Sequence, residues 1–412
     1  MPKDIVICCD GTGNEINSTI SNVLKLFRVL EKDANQRVYY HPGVGTIGLQ
    51  SAWVRLKQEA YGVLSLATGA GLDEDTLAAY RFLCETYQRG DRVWLFGFSR
   101  GAYTVRVLAA FVQLIGLLPP DQIDLAGYAF TAYKNASAMS HTSRASADGK
   151  PAFLDEAWHF SHVAGGYRIP IEFIGVWDTV NSVIVPRQDQ FLIDLQTLVY
   201  TRTNPSVKKF RQAMSIDERR RMFRLNRWVD PQKYRPDPFD SSTAVDQDIR
   251  QVWFAGVHGD VGGSYPEAES GLSKFPLLWM IEQAVAAGLR VDQSMVDHLG
   301  WGQPRPHSHV YVAPSPTAEL HVSLEGAWWL LEWLPKPVRW REWPARKSFL
   351  GWYLPLGEPR LIPQGAIIHR SVIERRDRVS SYRPINLPAT FAIEEGPFPP
   401  TAGAGASPAT LQ

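Results

Sequence analysis

The sequence predicts an α/β fold: a mostly parallel sheet with helices on both faces and cap-like insertions. Three observations carry this expectation. Short, solidly apolar runs of strand character recur at Asp4 to Cys9, Arg92 to Phe96, Ile169 to Trp177 and Gln251 to Val257. The first two alternate with stretches of helical spacing, which is βαβ rhythm. Each run stops at polar or glycine-rich residues, as strands do when they feed loops at one edge of a sheet.

In chain order, Asp4 to Cys9 is the first strand and ends at Asp10-Gly11-Thr12-Gly13-Asn14. Ser21 to Leu30 has apolar residues at 23, 24, 26, 27 and 30, which predicts a helix, and Arg37 to Tyr40 predicts a second strand before Pro42-Gly43. Leu72 to Tyr87 is again helical. After the Gly90-Asp91 turn, the strand Arg92 to Phe96 runs into Gly97-Phe98-Ser99-Arg100-Gly101 and a helix reaching about Leu118. Residues 119–168 read as an insertion, with an exposed loop over Asn135 to Gly149. Ile169 to Trp177 returns to core strand character, and a second insertion, 186–248, precedes the strand at Gln251 to Val257. Residues 1–300 thus form the core, 301–395 a Trp/Pro-rich extension packed on it, and 396–412 an Ala/Gly/Pro/Thr tail with the composition of disorder.

Composition narrows the function. In 412 residues, 43 Lys+Arg balance 42 Asp+Glu to give a net charge of +1, which argues against nucleic-acid binding through a basic face. Apolar residues make up 45 % of the chain, ample for a large core. Cys8, Cys9 and Cys84 cannot build a disulfide framework, and the N-terminus lacks a signal-peptide core, so a cytoplasmic protein is expected, with signal-independent secretion left open. The longest apolar stretch, Val105 to Leu118, falls short of the ~20 residues that span a bilayer and reads as a buried helix.

The chemistry centres on Ser99. Gly97-Phe98-Ser99-Arg100-Gly101 matches the G-x-S-x-G nucleophile elbow, and a strand before it and a helix after it supply the context that the pattern alone lacks. A tight turn with a structural serine is the alternative. A serine nucleophile needs a histidine to take its proton and a carboxylate to orient that histidine. His258 follows an apolar run and opens Gly259-Asp260-Val261-Gly262-Gly263, while Asp178 sits where a strand gives way to a loop. The order Ser99, Asp178, His258 is that of α/β-hydrolases. Asp260 is the rival acid, although two residues from His258 it is better placed to order its own loop. An oxyanion would take N–H groups from Arg100 and from Gly11 or Thr12, with Asp10 holding that loop through its own N–H bonds.

Other features are weaker. Asp10-Gly11-Thr12 is similar to the D-x-D-G-T phosphatase signature of the haloacid-dehalogenase type, but its nucleophilic aspartate would fall at Cys8. Neither a dinucleotide fingerprint nor zinc or EF-hand spacing is present, so no cofactor and no metal are expected, although Asp10 and Asp260 could share an ion. Lys208 to Arg227 carries Lys/Arg at 208, 209, 211, 219, 220, 221, 224 and 227 against Asp217 and Glu218. Ser215-Ile216-Asp217-Glu218 reads as a capping box, which predicts a basic helix, either solvated or attracting anionic headgroups. Tryptophans 328, 329, 333, 340, 343 and 352 crowd a segment that either packs a domain edge or meets a membrane surface.

The strings CDGTGNE, FGFSRGAYTVR, GVWDTV, SIDERRRMF and VHGDVGGSY, in that order, resemble the uncharacterised α/β-hydrolase domain family that includes the catalytic domain of type VI secretion phospholipase effectors. The resemblance spans Ile5 to about Tyr265 and continues more weakly from Ile367-Ile368-His369-Arg370-Ser371-Val372 to Pro388. It implies Ser99 as nucleophile, Asp178 as acid and His258 as base, acting on a small-molecule or lipid ester. The large effectors carry a further membrane-docking module, and many relatives stand alone without assigned substrates. Two rival readings follow from the residues: a degenerate hydrolase fold that binds lipid or protein, and a metal-dependent phosphatase-like enzyme centred on Asp10.

Overall fold

In the computed structural model, which describes residues 2–11, 20–43, 71–140, 155–180, 184–186, 193–195, 198–236, 241–326 and 328–397, eight strands form one sheet whose neighbours all run parallel. The elements are β1 (Asp4–Cys9), α1 (Asn22–Val29), β2 (Gln36–His41), α2 (Leu72–Thr86), β3 (Arg92–Phe98), α3 (Ser99–Ile115), α4 (Ala126–Ser140), α5 (Asp155–Val163), β4 (Ile171–Trp177), β5 (Val207–Ser215), β6 (Asp248–Phe254), α6 (His258–Gly262), α7 (Lys274–Ala286), α8 (Gln293–Leu299), α9 (Trp328–Glu332), β7 (Ala366–His369), α10 (Arg370–Arg378) and β8 (Phe391–Glu394). Their order across the sheet is β8-β7-β6-β5-β4-β3-β1-β2. The chain steps outward from β1 to β2 and then returns to β3 on the other side of β1. A parallel sheet opens a crevice outside its strand ends where the order reverses in this way.

Both faces are covered, which is why the strands read as unbroken apolar runs. On β1 and β3 the side chains alternate: Ile5, Ile7, Val93 and Leu95 pack with α2, α3 and α4, whereas Val6, Cys8, Trp94 and Phe96 pack with α1, α7 and α8. Every residue of α3 is buried. Two glycines let it sit so close: a Cβ on Gly101 would lie 2.1 Å from the Cys9 carbonyl oxygen, and one on Gly97 would lie 2.4 Å from the Gly101 oxygen. The three cysteines are buried and unbridged.

Several expectations are corrected. The basic run over 208–227 is not a helix. Its first part is β5, hydrogen-bonded between β4 and β6, because Phe210, Ala213 and Met214 alternate into the core while Lys208 and Lys209 reach Glu172. Beyond it only a single 3₁₀ turn forms, at Arg221–Phe223. Ser215 makes no capping box, since its amide and hydroxyl both donate to Asp178. The second insertion therefore contains a central strand, and the C-terminal extension supplies β7 and β8 to the same sheet.

The loop expected at Asn135 to Gly149 is helical as far as Ser140, and its remainder lies outside the described residues, as does most of the 396–412 tail. The Trp-rich segment is anchored but does not pack as an apolar edge. Trp333 is 60 % exposed, Leu330 71 % and Phe349 78 %. A polar clamp holds the segment instead: Glu332 accepts the amides of Arg221 (2.6 Å) and Gly357 (3.1 Å), and the Arg221 Nε donates to the Tyr353 hydroxyl. Among the described residues no helix is long and apolar enough to cross a membrane.

Candidate active site

Register brings the site together. Phe98 on β3 pairs with Trp177 on β4, so the residues that follow them, Ser99 and Asp178, leave adjacent strands at the same edge. Both adopt positive φ, 57° at Ser99 and 37° at Asp178, a region that L-residues with side chains rarely occupy. At Ser99 it makes a strained strand-to-helix turn, the backbone form that a nucleophile elbow requires. Cys9 pairs with Gly97, which sets the Asp10-Gly11 loop beside the elbow at the point where the strand order reverses.

His258 opens α6 beyond β6. Its Nδ1 lies 2.5 Å from Asp178 Oδ2, and its ring is held between Phe98 (centroids 4.7 Å) and Phe223 (4.8 Å, edge-on). With Nδ1 engaged, Nε2 is the ring nitrogen left to exchange a proton. The serine is less tightly joined: Ser99 Oγ makes no hydrogen bond to His258 in this structure. Such contacts are commonly long in the absence of substrate and tighten when it binds.

Asp178 is wholly buried. Burial alone would push Asp178 upward, but the Arg360 guanidinium, followed by the bond to His258, holds it well below the usual carboxylate range. Arg360 clamps it bidentately, with Nη1 2.6 Å from Oδ1 and Nη2 3.0 Å from Oδ2, and also donates to the Phe223 carbonyl (2.7 Å). Ser215 adds its amide (2.9 Å) and hydroxyl (3.1 Å) to Oδ1. His258 is pushed below its ordinary value by burial, against the pull of Asp178, so the imidazole is neutral and able to accept a proton at pH 7.

Asp260, the rival acid, points elsewhere. Its Oδ2 accepts the Val257 amide (3.0 Å) and its Oδ1 meets His321 Nδ1 (2.6 Å), while His321 stacks on Tyr265 with ring centroids 3.5 Å apart. It orders the loop that carries His258. Asp10 takes the Gly11 amide (2.7 Å) on Oδ1, and the Ser21 and Tyr40 hydroxyls on Oδ2. This corrects the expectation for Gly11, whose N–H is committed to Asp10 rather than offered to an oxyanion; Thr12 lies outside the described residues. Arg100 follows Ser99 in the first turn of α3, where amides fall outside the intrahelical ladder. Its side chain is buried 3.8 Å from Asp75. Asp10, Asp178 and Asp260 thus have separate partners, and among the described residues no group of three or more His, Cys, Asp or Glu is arranged to hold a metal.

With this geometry in place, the relatives are informative. Residues 3–283 match the family described as "T6SS, Phospholipase effector Tle1-like, catalytic domain". The chain belongs to that family. It is 30 % identical over 235 residues to an uncharacterised protein of Saccharomyces cerevisiae, an alignment covering 54 % of this chain and 32 % of that one, so it spans about a third of that relative's length. Among solved structures it is similar to an uncharacterised protein from Pseudomonas aeruginosa (TM-score 0.35, 18 % identity, 71 % of this chain and 47 % of that one). It is also similar to a Tle1 effector bound to the VgrG spike of the type 6 secretion system (TM-score 0.31, 18 % identity, 66 % and 52 %).

Two residues of this family member escaped the sequence reading. Arg360 lies beyond the matched region, in Glu358-Pro359-Arg360-Leu361, a string with no pattern that marks it. Glu218 accepts the His258 amide (3.2 Å) and the Arg220 fork, and is held down at about 2 because Arg220 outweighs its burial. Glu218 was legible only as the end of an expected capping box.

Proposed function

We propose that the protein is a serine hydrolase that cleaves carboxylic esters of lipids, acting like a lipase or phospholipase. The observation that carries this reading is the 2.5 Å contact between Asp178 and His258 Nδ1, beside a serine held at positive φ on the adjacent strand end. Ser99 Oγ attacks the ester carbonyl while His258 Nε2 takes its proton. Asp178 fixes the tautomer and stabilises the imidazolium, with Arg360 keeping the carboxylate ionised. The Arg100 amide is the donor assigned to the oxyanion. His258 then protonates the leaving alcohol, and water attacks the acyl-enzyme by the same route in reverse.

A membrane surface is the proposed place of work. Trp329, Leu330, Trp333, Leu334, Phe349 and Leu350 are exposed together in a segment that also carries Lys336, Arg339, Arg341, Arg346 and Lys347. Aromatic and aliphatic side chains among cations suit an anionic lipid interface.

The test is labelling of the purified chain by a fluorophosphonate, comparing wild type with Ser99→Ala, His258→Ala and Asp178→Asn. Labelling is expected to vanish in the first two and weaken in the third. A folded wild-type protein that remains unlabelled while hydrolysing no ester would overturn the reading.

A further inference from the structure

A cavity of about 520 Å³ lies beside Arg360, lined by Arg202, Arg224, Arg227 and Arg360 with the indoles of Trp253 and Trp340. Its charges are not balanced. Arg360 is neutralised by Asp178, and Arg224 shares Glu342 with Arg221. Arg202 and Arg227 have no ion pair among the described residues. Arg202 Nε is spent on the Arg227 carbonyl (3.0 Å), and Arg227 Nε is buried without a hydrogen-bond partner. Asp230 and Glu342 also line the cavity, but Asp230 is exposed and Glu342 is shared between Arg221 and Arg224, so cations remain in excess.

Next to the lining residue Asn226 sits Arg106, wholly buried, with Nη1 on the Asn226 carbonyl (2.8 Å) and with Nε and Nη2 unpartnered. Its charge meets the rings of Phe210 and Trp228 rather than a carboxylate. Burial, with Arg202 nearby, pushes Arg106 down to about 9, and the same two causes lower Arg227 against the pull of Asp230 and Glu342. Guanidiniums that outnumber the carboxylates beside them are costly to bury unless an anion joins them.

We propose that this cavity binds a phosphate group carrying an organic substituent. Paired guanidiniums present parallel N–H donors that match phosphate oxygens. The volume falls within the roughly 300–1,000 Å³ of organic-ligand pockets, which is more than a bare phosphate fills, and the indoles offer apolar wall to the substituent. The ligand is either the headgroup of a phospholipid substrate or a soluble phosphoester. As a headgroup subsite the proposal rests on the ester-hydrolase reading; as an anion site it does not.

Titration calorimetry of the full chain with sn-glycerol 3-phosphate and with inorganic phosphate reads the site without any hydrolysis. Saturable binding of glycerol 3-phosphate, tighter than that of inorganic phosphate, is expected, weakened about tenfold or more by Arg227→Gln with Arg202→Gln. Arg227→Lys, which keeps the charge and loses the fork, should fall between, and Arg376→Gln, at a residue that does not line the cavity, should bind as wild type. No saturable binding, or equal binding in folded wild type and the double variant, overturns the proposal. Given binding, competition by glycerol 3-phosphate against hydrolysis of phosphatidylglycerol micelles assigns the site to the headgroup, and its absence assigns it to a soluble phosphoester. A chain that binds the phosphoester but is not labelled at Ser99 refutes the hydrolase reading alone.

Discussion

Replacing Arg360 by Met would strip the counter-charge from a carboxylate that has no access to water. Asp178 is 0 % exposed, and Arg360 meets both its oxygens at 2.6 and 3.0 Å. Removing one partner of a buried pair costs about 3–5 kcal/mol, because the other charge remains buried. The Phe223 and Ser215 carbonyls would lose a donor as well. Against this, the Ser215 amide and hydroxyl and His258 still hold Asp178, so a loss of about 4 kcal/mol is expected. Urea unfolding followed by tryptophan fluorescence measures it. The rate of fluorophosphonate labelling against pH gives a second readout: an un-neutralised carboxylate favours the imidazolium, so the acid limb of the profile moves to higher pH. Arg360→Lys, with charge but no fork, should recover part of both effects. A stability change below about 1 kcal/mol, with an unmoved acid limb, would refute the claim that Arg360 sustains the acid.

Four further outcomes are expected. Gly101→Ala drives a methyl group to within 2.1 Å of backbone on β1, so α3 must shift and the chain should lose several kcal/mol in the same unfolding assay, roughly as for overpacking in a core. His369 is pushed down by burial to about 3, so its contribution to stability is present above about pH 6.5 and is lost as pH falls toward 3; His369→Asn, which can still cap α10, should flatten that acid loss in unfolding curves taken across pH. His321 behaves oppositely: its burial is outweighed by Asp260 and Glu269, which raise it, so the advantage of wild type over His321→Gln should be full below about pH 6.5 and fade as pH rises past its raised value. Trp329→Ser with Trp333→Ser should reduce sedimentation with phosphatidylglycerol vesicles while leaving the unfolding midpoint in place, and unchanged sedimentation would dismiss the lipid-facing reading of that segment.

The residues of the candidate site that the structure brings together, and the order in which the chain supplies them, were legible because strand ends leave clear marks. Apolar runs that stop at Gly97, Asp178 and His258 report three parallel strands directly. β5 was not legible: Lys208, Lys209 and Arg211 mask its alternation, since their charges are absorbed by Glu172 and Asp248 on neighbouring strands. Strand β7 is short and lies far along the chain, and its pairing with β6 and β8 discloses it. Arg360 is recognisable by its partners alone, and those lie in segments that sequence spacing does not relate to it. The Gly11 amide turned inward for a local reason, since the Asp10 carboxylate one residue earlier reaches it first.

The Arg360 clamp joins positions 182 residues apart. On a ribosome adding about 5–20 residues per second, roughly 10–40 s pass between the appearance of Asp178 and that of Arg360. Throughout that interval a nascent chain can form β1, β3 and the turn at Ser99, but Asp178 lacks the guanidinium that neutralises it. The charge balance around Asp178 is thereby completed only with translation of the C-terminal part, and a chain stalled or clipped before residue 360 lacks the guanidinium that faces this buried carboxylate.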